Sequence, residues 1–450
     1  MESDFVWIIT ILISATILFV YWRKFRQARQ LAERRRQEAK ALGIDKPRSQ
    51  YPFINSALCI GCGSCVGACP EGDVLGVVLG TAAIINGERC VGHGYCEVIC
   101  PVGALKVGLG DVSTRPDIPV LTECYESTVP GLFIAGELTG ISLIRNAVAH
   151  GKAVIEEIAR RLERGGLEVS GADQFDVLIV GAGPAGITAA LKAHELGLNY
   201  LLIDQGDLGG TISHYPRRKL VMTQPIELPL YGRLKKDEYS KEFLMDVWHQ
   251  VRRDHGLNFH GGERLENIES SEAGFAVQTS KTKYRSRFVM LALGRRGTPR
   301  RLGVDGEELQ KVMYKLVDAQ AYNGMDLLVV GGGDSAVEAA VGLSRQKGNR
   351  VTISYRRESF SRVKKKNEDQ IAEAIKSGKV KPILNSNVTR IDSNEVALST
   401  PDGEVTLIND YVLIFAGGIP PYDQLKSYGI KFGGEIPREK ILQEAPVSTV

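Results

Sequence analysis

Outside two short stretches this 450-residue chain has almost no cysteine. Seven of its eight cysteines fall between residues 59 and 100, and Cys124 is the one left over. A set so clustered excludes a disulfide framework and reads as metal chemistry. Strong net charge is also lacking. The formal charge is +3, but residues 23–48 carry ten Lys/Arg against three acids, which leaves −4 over the remainder. The basicity is therefore a local patch and carries no argument for nucleic-acid binding. Nor is this a disordered composition, with 43% hydrophobic and 24% charged residues, and the length suits about three domains.

Another absence lies at the N-terminus. No charge interrupts "FVWIITILISATILFVYW" (5–22), and no positive charge precedes it, only Glu2 and Asp4. As a helix this run rises roughly 27 Å, enough to cross a hydrocarbon core. Trp7, Tyr21 and Trp22 stand where interfacial aromatics belong. A cleaved signal peptide needs positive charge ahead of its apolar run; here "RKFRQARQLAERRR" follows it instead. The expectation is an uncleaved, single-pass anchor in the inner (cytoplasmic) membrane, with the catalytic body in the cytoplasm. Residues 23–42 then form a basic helix at the membrane surface or a solvated stalk.

The cysteines themselves are ordered. "CIGCGSCVGACP" (59–70) is a full C-x2-C-x2-C-x3-C-P run, and "CVGHGYCEVICP" (90–101) repeats its frame with His93 where the first has Cys62. Such runs wrap three thiolates around one iron–sulfur cube and lend the fourth to a neighbouring cube. Zinc motifs lack the third spacing and its proline. Over about sixty residues the stretch resembles the bacterial two-cluster ferredoxin domain. The resemblance implies that one cluster takes Cys59, Cys62, Cys65 and Cys100, and the other Cys69, Cys90 and Cys96. For the fourth position of the second cluster, His93 is either a ligand or marks a three-iron or labile-iron corner. Its neighbours match too well for a dead site. Neutral imidazole in place of thiolate removes negative charge, which makes the second cluster the higher-potential one.

Two glycine-rich turns follow. "FDVLIVGAGPAG" (175–186) is an apolar strand running into Gly181, Gly183, Pro184, Ala185 and Gly186. A helical pattern comes next, then a second strand ending in Asp204. This is a dinucleotide fingerprint in its required context: backbone amides at a helix N-terminus meet the pyrophosphate and the acid meets a ribose hydroxyl. "MDLLVVGGGDSAVEAAVGLSRQKGNRVTISYRR" (325–357) repeats the pattern with Gly331, Gly333, Asp334, Ser335 and Ala336. Its second strand ends in Arg356 and Arg357, with Arg362 beyond. Guanidinium forks match a 2′-phosphate, so NADP is favoured over NAD.

Two such turns in one chain resemble the two-dinucleotide-binding flavoproteins, most closely the thioredoxin-reductase-like group. "LGGTISHYP" (208–216) is similar to the loop that meets the flavin, which assigns Gly209, Gly210 and Thr211 to FAD. "FVMLALGRRGTPRRLGVDGE" (288–307) and "DYVLIFAGGIPP" (410–421) are similar to the two crossovers between domains. "STVPGLFIAGELTG" (127–140) is similar to the second flavin contact, with Gly136 and Glu137 where the family has Gly-Asp. The order is unusual, because that last piece belongs near a C-terminus. It implies a circular permutation, or completion of the partner subunit's flavin domain.

The implied fold is α/β. It comprises an anchor (5–22) and stalk within 1–50, a two-cluster domain at 51–110, and the permuted second half of the FAD domain at 111–170. The first half of that domain follows at 171–297, an NADP domain at 298–415, and the return crossover at 416–450.

One last absence decides the chemistry. Thioredoxin reductases carry C-x-x-C before the second glycine turn, but "YKLVDAQAYNGMDLL" (314–328) has no cysteine. Without a dithiol, disulfide exchange has no first acceptor. Cys124 alone reads as a packed small residue. The expected activity is NADPH-linked electron transfer through FAD and two clusters with a quinone, a cytochrome or a ferredoxin. The alternatives are a cluster-dependent reductase of a disulfide or small metabolite, and a redox sensor or subunit without turnover. The family resemblance implies a homodimer. His214 is either a structural residue of that loop or the one candidate acid–base group, and Lys219 and Arg217–Arg218 either hold a flavin phosphate or face solvent.

Overall fold

The computed structural model describes residues 2–41, 50–109, 115–140, 143–165, 174–217, 219–222, 225–236, 238–271, 274–360 and 363–435. They divide into two compact units, Met1–Gly110 with Lys364–Lys366, and Asp111–Val363 with Asn367–Val450.

The first unit opens with one unbroken helix, α1 (Glu2–Ala41). It is long and apolar enough to cross a membrane, and its apolar half is exposed. The basic half is more than a stalk. Arg29, Ala32, Arg35, Arg36 and Ala39 follow helical spacing and are the described residues of α1 that lose solvent. Ala39 is buried, Arg35 pairs with Asp73, and the missing side chain of Gly76 lets Ala32 approach.

The remainder is built on the internal repeat. β1 (Gln50–Ile54) pairs antiparallel with β4 (Leu105–Leu109), closing the two ends of the module. Between them lies the hairpin β2 (Leu75–Val78) with β3 (Thr81–Ile84). Each cysteine run bears a single short turn of helix, α2 (Ser64–Ala68) and α3 (Tyr95–Val98). The apolar core is small: Val74, Leu75, Ala82, Leu105 and the buried Cys65, with five further cysteines packed around it. A core of this size stabilises so short a domain poorly by itself.

The second unit is built around two large sheets. In the first, strand order runs β8 (Phe259–His260), β7 (Tyr200–Ile203), β6 (Gln174–Val180), β11 (Lys283–Leu291), β10 (Gly274–Thr279), β9 (Leu265–Ser271). The last residues of β11 also pair in parallel with β5 (Leu132–Ile134), register Val289↔Leu132 to Leu291↔Ile134. The parallel part is buried on both faces, which is why β6 and β7 read as continuous apolar runs. Helices α4 (Ile144–Gly165) and α5 (Pro184–Glu195) pack on one another. Gly151 makes that possible, since a Cβ there would stand 2.3 Å from the Ala185 carbonyl oxygen.

The second sheet is all parallel, in the order β12 (Val312–Met313), β19 (Tyr411–Ile414), β13 (Asp326–Val330), β14 (Arg350–Tyr355), β15 (Val380–Leu384). Helix α6 (Asp334–Ser344) covers it. An antiparallel trio is appended: β16 (Asn387–Ile391), β17 (Glu395–Thr400) and β18 (Gly403–Ile408). The two connections between sheets run antiparallel to each other, Thr298–Pro299 against Gly418–Ile419. They are so close that a Cβ on Gly297 would fall 1.7 Å from the Ile419 oxygen.

The segment before β5 lies beside the described C-terminal end. Pro119 bridges Phe432, Val120 N–H donates to Lys431 O (3.0 Å) and Gly433 N–H donates to Ile118 O (3.0 Å). Phe432 is wholly buried in the same cluster as Leu132 and Ile134.

Candidate functional site

Two thiol-lined cavities occupy the first unit. Cys59, Cys62, Cys65 and Cys100 line one, with Val102; Cys69, Cys90, Cys96 and His93 line the other, with Glu71. The grouping mixes the two runs, because the last cysteine of each reaches across to the other's cavity. Gly61 and Gly63 flank Cys62 with φ of +66° and +76°, and Gly92 and Gly94 flank His93 with +74° and +80°. The same left-handed pair therefore turns the backbone at both positions. Among the described residues no three His, Cys, Asp or Glu converge as a single metal ion would require. Thiols spread around a cavity suit a multi-iron cube better. Ala82 N–H donates to Cys59 Sγ (3.3 Å) and Ala104 N–H to Cys100 Sγ (3.2 Å), the kind of bond that tunes cluster sulfur. Burial and the neighbouring Cys69 and Cys90 push the Cys96 thiol up to about 11. Such crowded sulfur ionises readily only against metal charge. Cys62 is the one exposed cysteine among the described residues, and Leu58 and Ile60 are exposed beside it.

His93 is buried among the second set. Its Nε2 stands 2.9 Å from Glu71 Oε1, and its ring stacks on Tyr95. Lys364, of the same unit, places its ammonium 3.3 Å from that oxygen. Glu71 escapes attention in the sequence. The available signal is positional, since it follows Cys69-Pro70 where the second run has Val102 after Cys100-Pro101.

In the second unit four segments converge on the N-terminus of α5. Gly181 (φ +110°) cannot carry a side chain, because its Cβ would meet Ala292 O at 2.3 Å. A Cβ on Gly186 would meet Gly181 O at 1.8 Å, whereas one on Gly183 would meet nothing within 4 Å. The first and third glycines thus serve packing, and the middle one leaves open the space a pyrophosphate needs. Pro184 opens the helix and Ala185 is buried behind it. Asp204, expected to meet ribose, also pins the loops: Oδ2 accepts from Ala182 N–H (2.6 Å) and Oδ1 from Gly206 N–H (2.7 Å). A carboxylate keeps further lone pairs for a hydroxyl. Gly209 N–H donates to Ala182 O at 2.8 Å, and Gly210 is close enough that its Cβ would lie 3.0 Å from Gly183 Cα. Thr211 follows in the short 3-10 helix Gly210–His214. From β5 the chain turns at Gly136 (φ +78°), against Ala185, into the 3-10 helix that bears Glu137.

The second glycine turn repeats this arrangement. Gly331 (φ +139°) abuts Phe415 O, and Gly332 makes room for the Tyr355 ring. Gly333 again faces open space, and Ala336 is buried at the third position. Ser335 is exposed, and Asp334 accepts from Asn367 Nδ2 at 2.6 Å. Arg356 and Arg357 follow directly from β14, the first exposed and the second partly so. Arg362 and Arg218 lie outside the described residues.

Other expected residues are placed differently. Lys219 pairs with Glu338 (2.7 Å) and Arg217 with Asp318 (3.3 Å), so both cations are matched by carboxylates of the second glycine domain. His214 is exposed, its Nδ1 within 3.0 Å of Gly210 O and of Ser213 Oγ, bonds that shape the loop. Cys124 is only partly buried.

A histidine outside every sequence motif sits behind Gly136. His150 is 3% exposed, its ring centroid 4.3 Å from that of Tyr125, and its Nδ1 has no hydrogen-bond partner among the described residues. Burial pushes its pKa down to about 4, against the opposing effect of a hydrogen bond with the Gly136 backbone. An unfolded histidine titrates near 6.5. Between those values the unfolded chain binds more protons, so stability rises with pH. The contribution is complete above pH 6.5 and is lost as pH falls toward 4. Urea unfolding of the parent and of His150→Phe should therefore differ in pH slope. The parent loses roughly 2–3 kcal/mol more between pH 7 and 4.5; equal slopes would show that His150 does not titrate in this way.

Comparisons with known proteins agree with this geometry. The profile of the family described as pyridine nucleotide-disulphide oxidoreductase matches residues 178–449, and that of a 4Fe-4S dicluster domain matches residues 51–101. The bacilliredoxin reductase of Bacillus subtilis is 26% identical over 62% of this chain and 87% of its own length. A ferredoxin–NADP reductase of Ignicoccus hospitalis is 30% identical over 58% and 83%, and a thioredoxin reductase of Listeria monocytogenes 33% over 57% and 77%. Among solved structures, the bacillithiol disulfide reductase of Staphylococcus aureus superposes with a TM-score of 0.52 at 27% identity, over 58% of this chain and 81% of that one.

Proposed function

Because this chain belongs to the pyridine nucleotide-disulphide oxidoreductase family, we propose that it links NADPH to an electron acceptor at a membrane, holding FAD and two iron–sulfur clusters as its carriers. Membership makes it a flavin-dependent NAD(P)H oxidoreductase of the thioredoxin reductase and ferredoxin–NADP reductase type, here with a 4Fe-4S domain. The distribution of sulfur carries the finer reading. Seven cysteines stand in the first unit, lining its two cavities, and the unit with both glycine turns has Cys124 alone. Disulfide exchange needs two thiols, so that unit has no dithiol of its own to receive electrons.

Bound flavin supplies the exchange between a hydride's electron pair and single electrons. The chain supplies position. Amides at the start of α5 and the open face of Gly183 hold the FAD pyrophosphate, Asp204 holds its ribose, and Gly209–Thr211 with Gly136–Glu137 close over the flavin side. Gly333 and the start of α6 hold the second pyrophosphate. Arg356 and Arg357 hold the 2′-phosphate and so favour NADP. The pairing of Ile118–Val120 with Lys431–Gly433, and of β5 with β11, supports a circular permutation completed in cis. The exposed apolar half of α1 supports a membrane anchor.

The names of the bacilliredoxin and bacillithiol disulfide reductases favour a second reading, in which a disulfide is the final acceptor and receives electrons by way of the clusters. Anaerobic NADPH titration of the purified chain, followed optically and by paramagnetic resonance, tests the scheme. The flavin should bleach, and cluster signals should grow with it. A flavin that NADPH leaves oxidised would sink the enzyme reading in favour of a sensor or assembly subunit.

A further inference from the structure

We infer that Glu71 is a positioning residue for the second cluster, holding the Nε2–H of His93 so that Nδ1 is the atom that bonds iron. The inference rests on the two-cluster reading above and adds to it an atom and a supporting side chain.

The first observation is backbone equivalence. His93 sits between two left-handed glycines, as Cys62 does, and lines one cavity with Cys69, Cys90 and Cys96. It therefore occupies a ligand's position. The second observation is the bond to Glu71, 2.9 Å long, with the two side chains 5% and 6% exposed. A neutral imidazole has one N–H and one lone pair, and a carboxylate only accepts. The proton of the pair therefore lies on Nε2, and the lone pair lies on Nδ1. Nδ1 is also the ring nitrogen nearer the backbone, closer in reach to the sulfur it replaces. Histidines that bind metals commonly give their other N–H to a carboxylate, which fixes tautomer and ring orientation.

The third observation comes from the internal repeat, which acts as its own control. Each run ends in Cys-Pro followed by one residue that lines the cavity its cysteine enters: Glu71 after Cys69-Pro70, Val102 after Cys100-Pro101. The cavity with four cysteines has valine at that place. The cavity with histidine has glutamate. A thiolate needs no donor satisfied behind it, whereas an imidazole does, and the exchange of both residues together follows from that difference.

The test uses the full chain, purified without oxygen, labelled with 15N-histidine and reduced for pulsed paramagnetic resonance. The parent should show strongly coupled histidine nitrogen at one cluster. Glu71→Gln keeps an acceptor oxygen and should keep the coupling. Glu71→Val should lose it, and should retain the fourth iron against a chelator about 10- to 100-fold less well. The double variant His93→Cys with Glu71→Val copies the first site. Its second cluster should hold four irons without nitrogen coupling and titrate at a lower potential than the parent's, which separates a lost ligand from a misfolded module. Two clusters without coupled nitrogen would overturn the inference alone. So would a Glu71→Val protein with the parent's coupling and potential. Absence of iron and sulfide from the parent would overturn the cluster reading with it.

Discussion

Replacing Cys62 by serine is expected to leave NADPH able to reduce the flavin while anaerobic electron delivery to an added haem-protein acceptor collapses. Cys62 lines the first cavity and belongs to the unit that contains neither glycine turn. The dinucleotide sites lie in a different compact unit, with its own cores. The hydride step should therefore be spared. The cluster should not be, because outer-shell partners alone are worth 10- to 100-fold in metal affinity and a direct ligand is worth more. We expect acceptor reduction to fall roughly a hundredfold or more, with bleaching of the flavin by NADPH within about twofold of the parent in stopped flow. The exposed thiol of Cys62 makes this the cluster whose loss an external acceptor should notice first. Acceptor reduction that persists at the parental rate would mean that electrons leave from the flavin directly.

The second large effect separates two glycines three residues apart. Gly183→Val should give a folded protein without flavin, and Gly186→Ala a protein that is poorly folded. A Cβ on Gly183 meets no neighbour within 4 Å, so the isopropyl group enters the open space proposed for the pyrophosphate. FAD content should fall at least about tenfold, the equivalent of 1.4 kcal/mol, with little change in far-ultraviolet dichroism or in the unfolding of the flavin-free protein. A Cβ on Gly186 falls 1.8 Å from the Gly181 oxygen, a backbone atom that cannot move without lifting α5 from its strand. Overpacking of this kind costs about 1–3 kcal/mol or more, and thermal unfolding should register it. A Gly183→Val protein that purifies with full flavin would place the pyrophosphate elsewhere.

How much of this was readable in advance depended on distance along the chain. The strand–glycine–helix units were readable because each is contiguous: the apolar run of β6, the glycines and the start of α5 stand within two dozen residues. The cysteine runs were readable for the same reason. The basic half of α1 has the sequence of a surface helix or stalk, because its charges outnumber the few small residues (Ala32, Ala39) that lose solvent. For Lys219 and Arg217 the local sequence leaves a flavin phosphate and solvent both open, because cations beside a flavin loop suit either. Their partners Glu338 and Asp318 lie about a hundred residues away and leave no mark in the local sequence. Nothing in the sequence marks His150, because one histidine on the apolar face of an amphipathic helix has no spacing to reveal it.

By itself the sequence determined the kinds of chemistry present, since residue type and short spacing decide which ligands a turn can offer. Thiols at cluster spacing, glycines before a helix, arginines after the second strand and a missing dithiol all follow from it. Tertiary structure alone decided which of these groups meet. It crossed Cys69 and Cys100 into each other's cavities and set β5 beside β11 across more than 150 residues. It also put Glu71 against His93. The physical reason is that a hydrogen bond, a strand register or a shared cavity depends on distances of a few ångströms between groups that local spacing does not relate. Only burial of the cores, which removes water as the alternative partner, makes those distances binding.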